Sequence, residues 1–144
     1  MKNENYNCSI TANITAKEAF DGICRVNEWW SKNIEGKTEK QNDVFTYRPN
    51  DTWVIFIITE CVPGKKIVWH VTDCYLPWLT NKTEWKNTDV VFEIAGEGNL
   101  TEINFTHIGL VPEIECYAGC VKGWDQYFKG SLLKLLTTGK GEPA

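Results

Sequence analysis

Apolar and polar residues alternate along most of this chain, and near its end the alternation gives way to a longer period. Tyr6, Cys8, Ile10 and Ala12 alternate with Asn7, Ser9 and Thr11, which predicts a first strand with one dry face. Thr15-Ala16-Lys17-Glu18 has the capping-box pattern, and Ala19, Phe20 and Ile23 follow, so a short helix starts here. Asn27-Glu28-Trp29-Trp30 begins a second short helical turn, and the polar stretch from Asn33 to Asn42 reads as loop or weak edge strand. Four more strands follow. Val44 to Arg48 puts Phe45 and Tyr47 on one face, and Trp53 to Val62 is almost continuously apolar, as a central strand is. After a turn at Pro63-Gly64-Lys65-Lys66, Ile67, Trp69 and Val71 alternate with Val68, His70 and Thr72. Thr88 to Ala95 places Val90, Phe92 and Ile94 together, and Gly96-Glu97-Gly98-Asn99 turns the chain into a last strand, Thr101 to His107. The period then lengthens. Ile114, Tyr117, Val121, Trp124, Phe128, Leu132 and Leu135 are three and four residues apart, an apolar stripe along about six turns of helix. Gly139-Lys140-Gly141-Glu142-Pro143 ends that helix and is expected to fray into solvent.

Strand, two short helices, a run of antiparallel strands and one long helix together predict an α+β fold over residues 1–144 as a single domain. The long helix needs a broad apolar surface, which only the sheet supplies. Periodicity turns Trp53, Trp69, Phe92, Phe105, Tyr117, Trp124 and Phe128 toward the space between them. Two readings stand: the rings line a cavity, or they fill the core. Asp73 to Trp85 reads as a loop whose apolar cluster Leu76-Pro77-Trp78-Leu79 is either a lid or a segment tucked over the open end of the sheet.

The net charge is −4, and Lys65-Lys66 is the one adjacent basic pair, so no basic stripe exists to follow phosphates and nucleic-acid binding is not expected. No apolar run is long enough to span a bilayer, and the polar start is not a signal peptide, so a cytoplasmic protein is expected. The six cysteines then read as free, mostly buried thiols. Cys116 and Cys120 are spaced i, i+4; on a helix their Cβ atoms lie about 5–6 Å apart, beyond the roughly 3.5–4.5 Å of a disulfide. A metal site there lacks converging ligands, with His107 the one obvious third. The triplets Asn13-Ile14-Thr15 and Asn104-Phe105-Thr106 read as chance matches to a glycosylation signal.

Ile14-Thr15-Ala16-Lys17-Glu18-Ala19-Phe20 followed by Trp29-Trp30 resembles the opening of the START-like (SRPBCC) superfamily. Lys66-Ile67-Val68-Trp69, Glu84-Trp85, Thr101-Glu102-Ile103, Thr106-His107-Ile108-Gly109-Leu110 and Gly123-Trp124 through Gly139-Lys140-Gly141 continue it over nearly the whole chain. The branch it is most similar to is the C-terminal domain of the activator of the ninety-kilodalton heat-shock protein's ATPase; Asn87 departs, standing where relatives often have Gly. The resemblance implies a helix-grip fold, a curved antiparallel sheet wrapped around the C-terminal helix. It implies ligand binding for many members, and catalysis or co-chaperone work for some.

A small apolar or aromatic ligand is therefore the expected partner, a chaperone the alternative one. The expected binding residues are Trp53, Trp69, Phe92, Phe105, His107, Tyr117, Cys120, Trp124, Phe128 and Trp78. His107 or Tyr117 would be the polar anchor, while His70 should face outward. No nucleophile elbow, phosphate loop, dinucleotide fingerprint or His-Glu-x-x-His is present, so no catalytic residue, cofactor or metal is expected. An enzyme of cyclase or hydrolase type would have to use His107 helped by Asp73 or Glu84, because Glu60, Glu93 and Glu102 alternate outward. Gly119, Gly123 and Gly130 each cost a helix about 1 kcal/mol relative to Ala; the first two stack on one side, either to open a cavity or to pack tightly on the sheet.

Overall fold

The computed structural model describes residues 5–144. The alternating segments pair as one antiparallel sheet of seven strands among the described residues, in the order β1-β7-β6-β5-β4-β3-β2. The strands are β1 (Tyr6–Ala12), β2 (Ile34–Gly36), β3 (Val44–Tyr47), β4 (Trp53–Val62), β5 (Lys66–Tyr75), β6 (Asp89–Glu97) and β7 (Leu100–Ile108). The first strand closes against the last, with Tyr6 opposite His107 and Ile10 opposite Ile103. Two short helices, α1 (Ala16–Cys24) and α2 (Val26–Trp29), follow β1. Thr15 caps α1: its hydroxyl accepts from the Glu18 amide, and Glu18 accepts from the Thr15 amide, which is the predicted capping box.

The terminal helix runs unbroken from Tyr117 to Thr138 as α3 (Tyr117–Trp124), a π-helical stretch (Asp125–Leu132) and α4 (Leu133–Thr138). It begins one turn later than the apolar period suggests. Ile114 lies in a turn because the Glu115 and Cys116 amides donate to the Glu84 carboxylate, 3.1 and 2.9 Å away, rather than accepting a place in a helical ladder. In the π-helical stretch hydrogen bonds reach back five residues. Trp124, Phe128 and Leu132, four apart, all stay buried on this wider turn. Gly139 ends the helix with φ +87°, as expected of a left-handed cap. The tail beyond it does not fray. Ala144 N–H donates to the Trp30 carbonyl (2.9 Å), Lys32 N–H donates to the Ala144 carbonyl (3.0 Å), and Glu142 N–H donates to Ser131 Oγ. Two backbone bonds and a buried hydroxyl acceptor outweigh the flexibility that the glycines confer.

The gap between sheet and helix is packed with rings. Trp69, in the middle of β5, contacts Phe92 at 4.8 Å and Phe45 at 5.1 Å edge-on, and lies nearly parallel to Trp29 at 6.2 Å. Phe105 and Phe128 meet at 4.8 Å beneath the helix. Trp69, Phe92, Phe105 and Phe128 therefore face inward as periodicity predicts. Trp53 does not. Val54, Phe56 and Ile58 are the inward residues of β4, so Trp53 lies on the outer face, stacked on Tyr75 at 6.3 Å. A strand apolar on both faces gives no alternation to read. β5 also outlasts its prediction: Asp73, Cys74 and Tyr75 continue the strand, pairing with Ile55, Val54 and Trp53. Asn87, in place of a glycine, adopts φ +67°, and its amide donates to the Val71 carbonyl.

Trp69→Ala should cost about 3–5 kcal/mol in chemical denaturation, whereas Trp53→Ala should cost about 1 kcal/mol or less because it removes only a surface stack. Equal losses would show that the two rings share one environment.

Candidate functional site

The middle is filled, and the cleft most richly lined with aromatic residues lies at one end. A cleft of about 360 Å³ lies beside the first half of the terminal helix, a size within the roughly 300–1,000 Å³ of small-molecule sites. The helix contributes Cys116, Gly119, Cys120, Gly123, Trp124 and Tyr127. Opposite stand Trp30, just after α2, and Tyr47 and Val54 from β3 and β4, with Pro49 and Thr52 from the turn between those strands. The β5–β6 loop closes the third side with Leu76, Trp78 and Trp85.

Each wall is held from behind. Trp30 stacks on Tyr47 at 4.3 Å and leans on Trp124 at 5.1 Å, so these rings form a continuous aromatic wall. The β5–β6 loop is built on its own bonds: Leu76 N–H donates to the Lys82 carbonyl, and the Lys82 ammonium donates to the carbonyls of Pro77 and Leu79. It is tied to the helix by Glu84 and by the Thr80 amide, which donates to the Glu115 carboxylate at 2.8 Å. Leu76 and Leu79 are buried and tuck the loop down, while Trp78 stands 60% exposed at the mouth. A β-carbon added at Gly119 or Gly123 would meet nothing within 4 Å. Neither glycine exists to let the helix approach the sheet; both leave the helix face toward the cleft bare.

His107 is wholly buried behind this wall and does not border the cleft. Thr88 Oγ donates to the Trp85 carbonyl at 2.7 Å, which leaves it to accept from His107 Nε2–H at 3.0 Å. His107 Nδ1 accepts from the Trp124 indole N–H at 3.1 Å. Both ring nitrogens are thus occupied, and burial lowers the pKa to about 3. A neutral imidazole with both nitrogens bonded inside the protein orients Trp124. The carboxylates suggested as its helpers are also engaged, Asp73 with the Cys74 amide and Glu84 at the start of α3. His70 faces outward and pairs with Asp89 at 2.7 Å.

Of the residues expected to bind, Trp78, Cys120 and Trp124 border the cleft. Trp69, Phe92, Phe105 and Phe128 belong to the packed interior, Tyr117 packs at its margin, His107 lies behind Trp124, and Trp53 is on the far face of the sheet. Trp30, Tyr47, Trp85 and Tyr127 are additions that periodicity did not single out. The Trp29-Trp30 doublet carried a signal: two adjacent large rings, both buried and both stacked on Trp69, with Trp30 also reaching the cleft. Cys116 and Cys120 are joined as a disulfide, against the expectation of free thiols. Cys116 precedes the helix, and the two Cα atoms are 5.6 Å apart, inside the usual range of roughly 4.4–6.8 Å.

No protein-family model matches this sequence, and no curated protein matches it. Solved structures do. The Aha1 dimer from Colwellia psychrerythraea is similar with a TM-score of 0.76 at 23% identity, over 95% of this chain and 98% of that one. CalU16 from Micromonospora echinospora is similar at 0.66 and 14% identity, over 99% and 88%. DynU16, a protein of the dynemicin biosynthetic locus, is similar at 0.73 and 12% identity; this chain spans about half of its length, 49%. The architecture is the helix-grip fold: α+β, with a curved antiparallel sheet against a C-terminal helix. Among the described residues no helix is long and apolar enough to cross a membrane.

The depressed His107 pKa has a direct consequence for stability. In the unfolded chain the imidazole takes up its proton near pH 6.5, while in the fold it resists until about pH 3. The unfolded state therefore binds more protons between those values, and stability falls as the pH is lowered through that window, by up to about 1.4 kcal/mol per pH unit. Thermal unfolding of His107→Gln should lose less stability than wild type between about pH 6.5 and 5; parallel slopes would mean that the imidazole is charged in the fold.

Proposed function

We propose that this chain is a binding domain for a small, flat, largely aromatic molecule held in the cleft between Trp30, Trp85 and the Gly119–Gly123 face of the helix. The observation that carries this reading is the pair of bare glycines. A helix interior loses about 1 kcal/mol at each, and no neighbouring backbone or side chain requires the space they leave. The aromatic walls suit a planar ligand, because rings bind rings in stacked or edge-on contact. At about 25 cal/mol per Å² of apolar surface, a molecule filling this volume reaches micromolar affinity once association costs are subtracted. Polar recognition is sparse. The Tyr47 and Tyr127 hydroxyls are at hand, and the buried Trp85 indole N–H has no partner among the described residues. A ligand with one hydrogen-bond acceptor near Trp85 would satisfy it.

A second reading has one observation in its favour. Trp78, exposed at the mouth of the cleft, is a large apolar side chain on a loop, and the fold resembles that of Aha1. In this reading the loop docks on another protein, a chaperone being the expected one, and the cleft stays empty. Catalysis by His107 has no such support, since the imidazole is sealed from the cleft and saturated with hydrogen bonds.

Gly123→Ala should raise thermal stability, by up to about 1 kcal/mol, because its methyl enters open space. Gly123→Leu should fold equally well and bind N-phenylnaphthylamine, a neutral aromatic fluorophore, at least about tenfold more weakly by fluorescence titration. Unchanged affinity in the leucine variant sinks the ligand reading. Chaperone capture that survives Gly123→Leu but is lost in Trp78→Ala favours the docking reading.

A further inference from the structure

The start of α3 carries a feature that ligand binding does not use. Cys116 and Cys120 are bonded to each other, and both border the cleft. Cys8, Cys24, Cys61 and Cys74 are free. Burial pushes each of those four thiols above its ordinary value, Cys24 to about 12. Protonated thiols are poor nucleophiles, so thiol chemistry concentrates at the bonded pair.

The bond is not needed as a staple. It links residues only four apart, and closing so short a loop removes less chain entropy than closing a long one. It can therefore open and close while the fold persists, and its place in the wall connects its state to the cleft. Two unbonded sulfurs must stand well beyond the roughly 2.05 Å of a disulfide. Cys116 is buried and its amide is held by Glu84, whereas Cys120 is half-buried and flanked by the bare faces of Gly119 and Gly123. On reduction Cys120 is the partner free to move, and the open space lies on the cleft side.

We propose that Cys116 and Cys120 form a reversible oxidation site whose disulfide widens the cleft and whose dithiol narrows it; the effect on occupancy rests on the ligand-binding reading above. The oxidant is a peroxide. The Cys120 thiolate attacks one peroxide oxygen, the O–O bond breaks, and a sulfenic acid and hydroxide result; the hydroxide takes up the proton that the Cys120 thiol released, giving one water. The Cys116 sulfur then attacks the Cys120 sulfur, the S–O bond breaks, and the departing hydroxide takes the remaining thiol proton as a second water. Two thiols lose two electrons and peroxide gains them. A dithiol reductant reverses the change, returning two electrons and two protons to the sulfurs.

The test uses the full chain, reduced with dithiothreitol and then treated with stoichiometric hydrogen peroxide. Peptide mass mapping after alkylation reads the bond, and N-phenylnaphthylamine titration reads the cleft in each state. The expected result is loss of two hydrogens from the peptide holding residues 116 and 120, with affinity about fivefold weaker in the reduced protein. Cys120→Ser should bind the fluorophore equally in both conditions. Full alkylation of both cysteines after peroxide overturns the oxidation site. A disulfide that forms while affinity stays equal overturns its control of the cleft. Absence of fluorophore binding in either state overturns that control together with the ligand reading, while the mass map alone still decides whether the oxidation site exists.

Discussion

Trp69 is the ring on which the rest of the interior is arranged. It lies centrally in β5 and touches Trp29, Trp30, Phe45, Phe56 and Phe92, with centroids between 4.8 and 6.2 Å. Those rings come from four separate strands or helices and from the residue just after α2, so one side chain binds the curved sheet to the elements that cover it. Rings of this size make many weak contacts at once, and dense packing makes any loss expensive. The same density dictates where empty volume can exist. A middle filled by rings moves the cleft to the end, between Trp30 and the start of the helix.

The chemistry of that end follows from how its polar groups are used up. Glu84 is consumed as a helix cap, Thr88 and His107 support one another and Trp124, and Lys82 closes its own loop. Each of these groups is engaged in holding its neighbours in place. What faces the cleft is aromatic surface, two tyrosines, bare helix backbone at the glycines and a pair of sulfurs. Such a lining offers flat apolar surface with few polar groups.

Much of the architecture was legible because it obeys simple periods. The alternation in β1, β5, β6 and β7, the Thr15–Glu18 box and the four-residue steps from Trp124 to Leu132 each state which way side chains point. Legibility failed where a local rule had competition. Trp53 sits in a strand apolar on both faces, so its side could not be assigned. Ile114 fits the helical period, yet the nearby amides found a carboxylate thirty-odd residues upstream. The tail after Gly139 looks unconstrained until the Trp30 carbonyl is brought beside it.

By itself, the amino-acid order determined most of the elements, their sequence and the inward faces of the alternating strands, because these depend on spacing between near neighbours. Only the tertiary structure decided which aromatic residues fill the core and which border space. It also decided that His107 is saturated and that Cys116 meets Cys120 at the edge of the cleft. The core rings and the His107 bonds depend on distances between residues far apart in the chain; the disulfide joins near neighbours, but the Glu84 carboxylate, from another part of the chain, holds Cys116 just ahead of the helix.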